Sequence, residues 1–361
     1  MEHTTIAVDL AKSVFQVAVS HKAGRVDVER RLSRERFLAY LAKQPPATVL
    51  LEACGSAHYW ARQLQPFGHT VRLLPAHDVH RYVRRNKTDR TDTKGLLEAG
   101  RNDEIHAVPV KTVDQQAIAS LHRLRSTWLA TRTARLNTVR GLLREFGLVM
   151  PVGAQHVVPQ VRALLVESSD VPDLMRPSLA SACDEIESIE QHMRAVERQL
   201  TTLARDRDDI RLLQTVPGVG LLTATALVAL VGDARRFPTS REFASFLGLT
   251  PREDSSALHR RLGAISKQGD GYLRMLLIHG ARSVLLRAKS AGVPTPFQAW
   301  ARATQQRRGH NVAAVAVANK LARLVWAVWT HQRPYDADYR PTATRQTSIT
   351  SSPQEDCTEL N

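Results

Sequence analysis

The stretch Thr4–His21, TTIAVDLAKSVFQVAVSH, holds two runs rich in β-branched residues, parted by a turn at Leu10–Lys12. Val, Ile and Thr pack well on a pleated surface, so both runs predict strands. A second turn at Lys22–Gly24 leads into GRVDVERRL, Gly24–Leu32, which predicts a third. Turns this short leave no room for a crossover helix, so the three strands form a meander. One carboxylate, Asp9, stands at the end of the first run.

Downstream the pattern changes to alternation. SRERFLAYLAKQ predicts a helix with Ser33 as its N-cap. ATVLLEA is a short apolar run of the kind covered on both faces of a sheet. SAHYWARQLQPFG predicts a helix, HTVRLLP a strand and AHDVHRYVRR another helix. Three meander strands followed by β-α-β-α units is the order of an α/β RNase H-like domain.

In that order a carboxylate ending the first strand is the usual first metal ligand, and Asp9 is there. Glu52 ends VLLE, the fourth strand. The segment NKTDRTDTKGL, Asn86–Leu96, adds Asp89 and Asp92, which at i and i+3 share one face of a helical turn. Four carboxylates on one sheet edge repel one another unless a cation lies between them. Oxygen ligands favour Mg²⁺ or Mn²⁺, and two such ions stabilise the attacking and leaving oxygens of a phosphodiester displacement. Each acid also has an ordinary use: Asp9 can end a strand, Glu52 can cap the next helix, and Asp89 can be an N-cap.

Charge points to the partner. The chain has 361 residues, with 50 Lys or Arg against 35 Asp or Glu, a net charge of +15. Such a surplus calls for a polyanion, nucleic acid before membrane. The start of the chain enters a polar-interrupted strand at once and has no signal-peptide pattern. LLTATALVALVG, from Leu221, is too short to span a bilayer. AAVAVANKLARLVWAVWT carries Lys320 and Arg323 and so predicts a buried or half-buried helix. Cys54, Cys183 and Cys357 lack C-x-x-C spacing, which argues against a zinc motif and for a reducing cytoplasm.

From Val113 to Gly147 the pattern is one long helix. Its arginines, Arg125, Arg132 and Arg135 among them, form either a solvated face or a contact with nucleic-acid backbone; the overall charge favours contact. After a linker, Leu179, Ala182, Ile186, Ile189, Met193, Val196, Leu200 and Leu203 recur in steps of three and four. That seam predicts a coiled-coil arm and self-association. LLQTVPGVGLLTATALVALVG resembles a helix-hairpin-helix, whose turn with Gly218 and Gly220 would aim N–H groups at a phosphate. From Ser255 to Thr330, twelve Lys or Arg stand against one acid, Asp270. The tail, 333–361, is Ser-, Thr- and Pro-rich and is predicted to be disordered.

IAVDLAK, LLEACGSAHYW, NKTDRTDTKGL, VKTVDQQAIASLHRLR, TVPGVG, FASFLGLTPRE and RRLGAISKQGDGYLR occur in this order. From Ile6 to Trp329 the chain thereby resembles the DEDD insertion-sequence transposases, the bridge-RNA-guided recombinases. The resemblance implies a RuvC-like domain at 1–147 with Asp9, Glu52, Asp89 and Asp92 as a metal-binding catalytic tetrad. It further implies a linker and coiled coil at 148–206, and a mainly α-helical transposase domain at 207–332. That last domain would supply a nucleophilic serine just after LTPR, by position Ser256. The family pattern has an aromatic residue before the serines and a glycine after them. Asp254 and Ala257 stand there instead, which leaves the choice between Ser255 and Ser256 open. Arg252, Arg260 and Arg261 flank the pair and can clamp a phosphate, with Lys267 beyond them. The implied partners are double-stranded DNA at element ends and target, a structured non-coding guide RNA and further copies of the chain. The implied setting is the bacterial cytoplasm, at the nucleoid. The competing functions are a metal-dependent, junction-resolvase-like nuclease in which activated water attacks, and a non-catalytic nucleic-acid-binding protein.

Overall fold

The computed structural model describes residues 4–83, 88–167, 170–256, 259–290 and 292–339, with Asp89 given by its backbone alone. The tail beyond Tyr339, predicted to be disordered, lies outside the described residues.

The opening stretch forms β1 (Thr5–Leu10) and β2 (Val14–Ser20), and β3 (Val28–Ser33) completes the antiparallel meander. Next come α1 (Arg34–Leu41), β4 (Thr48–Glu52), α2 (Ala57–Leu64), β5 (Thr70–Leu74), α3 (Ala76–His80) and α4 (Asp89–Ala99). The sheet order is β3-β2-β1-β4-β5, with β1–β4 and β4–β5 parallel. This mixed order is that of an α/β RNase H-like domain. Side chains alternate across the sheet. Ile6 and Val8 join Phe15, Phe37 and Trp60 on one face, where the three rings meet edge-to-face at 4.9–5.3 Å. Ala7 and Ala18, small enough to admit α4, lie on the other with Leu50, against Leu96, Leu97 and Ala99.

A helical assembly follows in the same compact unit: α5 (Val113–Glu145), α6 (Val157–Glu167), α7 (Arg176–Arg205), α8 (Asp208–Gln214) and α9 (Leu221–Leu230). Thr112 starts α5 with a capping box to Gln115. The seam predicted to join protomers is occupied within the chain. Leu179, Ile186, Ile189, Met193, Val196 and Leu200 are buried; Leu179 and Ile186 pack with Leu136, Val139 and Leu143 of α5 and Val157 and Val161 of α6, and Val196 and Leu200 with Ile118 of α5. A heptad seam specifies a facing helix but not whose helix it is. Here α5 supplies the apolar stripe in cis, running antiparallel to α7.

The units do not divide at the boundaries expected from the sequence. One comprises residues 1–214 and 219–238; the other comprises 215–218 and 239 onward. α8 and the apolar α9, expected with the C-terminal domain, pack on α7 instead, and α9 packs on α5 as well. The second unit holds α10 (Ser240–Phe246), β6 (Pro251–Glu253), β7 (Leu262–Ile265), α11 (Gly271–Ser290), α12 (Pro296–Arg308) and α13 (His310–His331). By length and composition alone α13 could cross a membrane. It is instead a core helix: Ala314, Val317, Ala318, Leu321 and Val325 are buried, with α10, α11 and α12 around it. Within this unit Gly218, at φ +86°, lies against Gly280 of α11 so closely that a Cβ on Gly280 would come 2.2 Å from the Gly218 carbonyl oxygen.

Candidate active site

The parallel register Val8–Leu51 brings Asp9 and Glu52 side by side at the C-terminal ends of β1 and β4. Neither aspartate of the NKTDRTDTKGL segment caps its helix. Thr88 is the N-cap of α4: its Oγ1 accepts from the Thr91 N–H at 3.3 Å, and the Thr91 Oγ1 accepts from the Thr88 N–H at 2.8 Å. With capping thus satisfied by threonines, Asp92 on the next turn is available for another use. Its Oδ1 is buried and has no hydrogen-bond partner among the described residues, a costly state for a carboxylate oxygen. Glu52 is not the cap of α2 either; Ser56 holds that position.

Asp9, Glu52 and Asp92 line one cavity of about 430 Å³, together with Cys54, His77 and His80. Asp89 is the first residue of α4, and its side chain is outside the description. The donor set suits a hard divalent cation: three carboxylates, one with an orphaned buried oxygen. Among the described residues no three Asp, Glu, His or Cys side chains are gathered tightly enough to form a finished cage. That too fits Mg²⁺, which commonly takes one or two carboxylates and completes its shell with water and substrate phosphates. The two histidines were not singled out in the sequence, although H-D-V-H, separated by two residues from the end of β5, sets them three apart on one short helix.

The two serines lie in the hairpin formed by β6 and β7. The pairs Glu253–Leu262 and Ser256–His259 share one register, with the Asp254 N–H donating to the Arg261 carbonyl at 2.9 Å between them. Alternation therefore gives the hairpin two faces. Glu253, Ser255 and Arg260 occupy one and are tied together. The Ser255 hydroxyl donates to Glu253 Oε1 at 2.9 Å, and the Arg260 guanidinium reaches the same carboxylate at 3.1 Å. The Ser255 hydroxyl and the Arg260 guanidinium hold the Glu253 carboxyl below its ordinary pKa. Ser255 Oγ also accepts from the Arg261 N–H at 3.1 Å. The other face carries Arg252, Asp254, Ser256, His259 and Arg261. Arg252, Asp254 and Arg261, with Lys267, line a groove of about 460 Å³. Ser256 is exposed, and its hydroxyl has no hydrogen-bond partner among the described residues.

Family comparisons match both regions. A model of DEDD-type IS110 transposases covers residues 6–147, and one described as "Transposase IS116/IS110/IS902 family" covers 210–295. A "Probable family 20 transposase" of Pseudomonas aeruginosa is 41% identical over 337 residues, spanning 93% of this chain and 99% of its own length. The chain belongs to the IS116/IS110/IS902 family of transposases. The transposase for insertion sequence element IS1111A of Coxiella burnetii is 36% identical, over 91% of this chain and 90% of that one. That for IS1328 of Yersinia enterocolitica is 33% identical, over 91% and 97%.

Three α5 arginines of this transposase have partners that sequence did not reveal. Arg125 donates to Glu197 at 2.7 Å, Arg132 to Glu190 at 2.7 Å and Arg135 to Glu185 at 2.8 Å. All three acids lie on α7, 50 to 72 residues away. Arg252 donates to the Ser266 carbonyl at 3.2 Å. Lys267 adopts a left-handed φ of +56° and donates its N–H to the Gly248 carbonyl. Gly220 is the N-cap of α9 and brings no capping side chain, while Gly218 serves the close approach to α11.

Proposed function

We propose that this transposase cuts and rejoins DNA by attack of the Ser256 hydroxyl on the scissile phosphate, with the acidic cavity as the metal-binding part of the machinery. The observation that carries the proposal is the division of the hairpin. Ser255 is held in a network with Glu253 and Arg260, whereas Ser256 shares a face with Arg252 and Arg261. Two guanidiniums and the Lys267 ammonium offer charge to the non-bridging oxygens of a phosphate, which raises the electrophilicity of phosphorus and holds it for in-line attack. Divalent cations at Asp9, Glu52, Asp89 and Asp92 would supply charge neutralisation for the oxygens that gain charge in the displacement. The chain's own part there is to orient the carboxylates: Asp9 and Glu52 from adjacent strand ends, Asp92 from a helix whose first turn is fixed by threonines.

Double-stranded DNA at element ends and target is the substrate in this proposal, and a structured non-coding RNA is the guide. The support is the seven-motif resemblance and the +15 charge. Holding two DNA ends calls for more than one copy of the chain. Since the α7 seam is taken in cis, a different surface must join them. The hairpin turn at Gly218–Gly220 is a secondary candidate for backbone contact; Arg125, Arg132 and Arg135 of α5 are committed to α7 carboxylates instead.

The test is covalent trapping on a duplex carrying the ends of the insertion element. Wild type should leave DNA bonded to the peptide containing Ser255 and Ser256. Ser256→Ala should form no adduct and no recombinant while still binding DNA, and Ser255→Ala should retain activity. Asp92→Ala should abolish recombination with the fold intact. Cleavage without any adduct from either serine would transfer the attack to activated water and make the chain a resolvase-like nuclease.

A further inference from the structure

We infer that His259 is the general base for Ser256, a reading that rests on Ser256 being the nucleophile. A serine hydroxyl is a weak nucleophile until a nearby group removes its proton. Ser255 has such an acceptor in Glu253, but that carboxylate is committed to Ser255 and Arg260 on the opposite face. On the Ser256 face the residue directly across the hairpin is His259. The Ser256 N–H donates to the His259 carbonyl at 3.2 Å, and the His259 N–H donates to the Ser256 carbonyl at 2.9 Å. The two residues therefore form a hydrogen-bonded antiparallel pair, whose Cα atoms stand about 5.5 Å apart with both side chains on one face. At that spacing an imidazole nitrogen can swing to within hydrogen-bond reach of the hydroxyl. Both residues are exposed, so neither is locked by packing.

The neighbouring charges suit the task. Arg252 and Arg261 flank the pair on this face, Lys267 lies in the groove, and Asp254 is the one acid among them. Three cations draw in a phosphate without competing for the serine proton, since arginine and lysine are already protonated. Of the groups on this face with an atom able to accept a proton, His259 stands directly across from Ser256, whereas Asp254 lies two residues along the strand, opposite Arg261.

The Ser256 Oγ–H bond breaks and its proton passes to an imidazole nitrogen of His259. The oxygen's electron pair forms the Oγ–P bond, and the scissile P–O bond breaks. Its electron pair stays on the leaving DNA oxygen, which takes a proton from solvent. Rejoining runs in reverse: a DNA hydroxyl gives its proton to solvent as its oxygen attacks phosphorus, the P–Oγ bond breaks, and the imidazolium returns a proton to Ser256 Oγ. One residue thus serves as base in cleavage and as acid in ligation.

The experiment measures single-turnover adduct formation on the same end-bearing duplex, alongside DNA affinity. His259→Ala and His259→Gln should slow adduct formation by about 100-fold, the lower end of what general-base catalysis supplies, with DNA affinity unchanged. Free imidazole added to His259→Ala should restore part of the rate and should do nothing for His259→Gln, whose side chain fills the space. If Ser256→Ala is dead while His259→Ala reacts at the wild-type rate, His259 is not the base and the nucleophile assignment stands. If His259→Ala loses adduct and DNA affinity together and imidazole restores neither, His259 is a phosphate contact and the inference fails. If Ser256→Ala still forms the adduct, or wild type forms none, the nucleophile assignment itself fails and this inference with it.

Discussion

Along α5 the guanidiniums of Arg125, Arg132 and Arg135 meet Glu197, Glu190 and Glu185 of α7, whereas on the serine hairpin Arg261 and Lys267 have no carboxylate partner among the described residues. Both segments look alike as strings: arginine every few residues in a basic chain. What separates them is the company each finds after folding. The helix pair lines up acids and bases at complementary heights, and the antiparallel order of the three pairs acts as a key for its register. The hairpin has two short strands and little interior, so its positive charge remains for an external anion. Local charge density therefore says where cations are, and only tertiary pairing says which are available.

The sharpest way to break this contrast is to attack the interior beneath the helical pairs. Ile186 is fully buried in the α5–α6–α7 core. Ile186→Asp should cost 4 kcal/mol or more, given as about the threshold for burying an unpaired charge, and should unfold the first unit in a denaturant titration. If the seam joined protomers instead, the same variant would change mass in light scattering and keep its fold.

Next in size is a pH effect confined to that region. His122 of α5 is buried, its imidazole 2.9 Å from the Thr225 hydroxyl. Burial, reinforced by Arg125, pushes its pKa down to about 4. The folded state thus resists protonation, so this contribution is full above pH 6.5 and is lost as the pH falls toward 4. Stability should drop by on the order of 2 kcal/mol between pH 6.5 and 5, and His122→Asn should flatten that slope in pH-dependent urea melts.

Two smaller effects set the regions directly against each other. Arg132→Met should lower stability by about 1 kcal/mol or less, since the pair is partly exposed, and should leave the salt dependence of DNA binding unchanged. Arg261→Ala should leave the melting temperature unchanged and reduce the log–log salt slope of DNA binding by about 1. A reduced slope in the Arg132 variant would erase the contrast.

The sequence made the sheet legible because β1, β2 and β4 are dense in β-branched and aliphatic residues bounded by turns, and because helix-length periodicity marks α5 and α7. Asp9 and Glu52 were readable as strand-end acids for the same reason. The partner of the α7 seam was not readable, since periodicity defines a face and leaves open what covers it. The β6–β7 hairpin escaped detection for the opposite reason. PRE and LGAI are too short and too exposed to show an alternating apolar pattern, so nothing in the sequence placed strands on either side of the serine pair. Without the hairpin register, neither the separation of Ser255 from Ser256 nor the position of His259 opposite Ser256 could be inferred.

The contact between Gly218 and Gly280 has a consequence for how this family can drift. Most packed pairs tolerate change because a larger residue on one side can be matched by a smaller one on the other. Here both partners are already the smallest residue, and a methyl group on Gly280 would come 2.2 Å from the Gly218 carbonyl oxygen. No compensating exchange exists, so neither site can vary first. Positions constrained in this way give no correlated substitutions, so this backbone-to-backbone seam should leave no covariation signal among relatives while remaining among the least forgiving in the second unit.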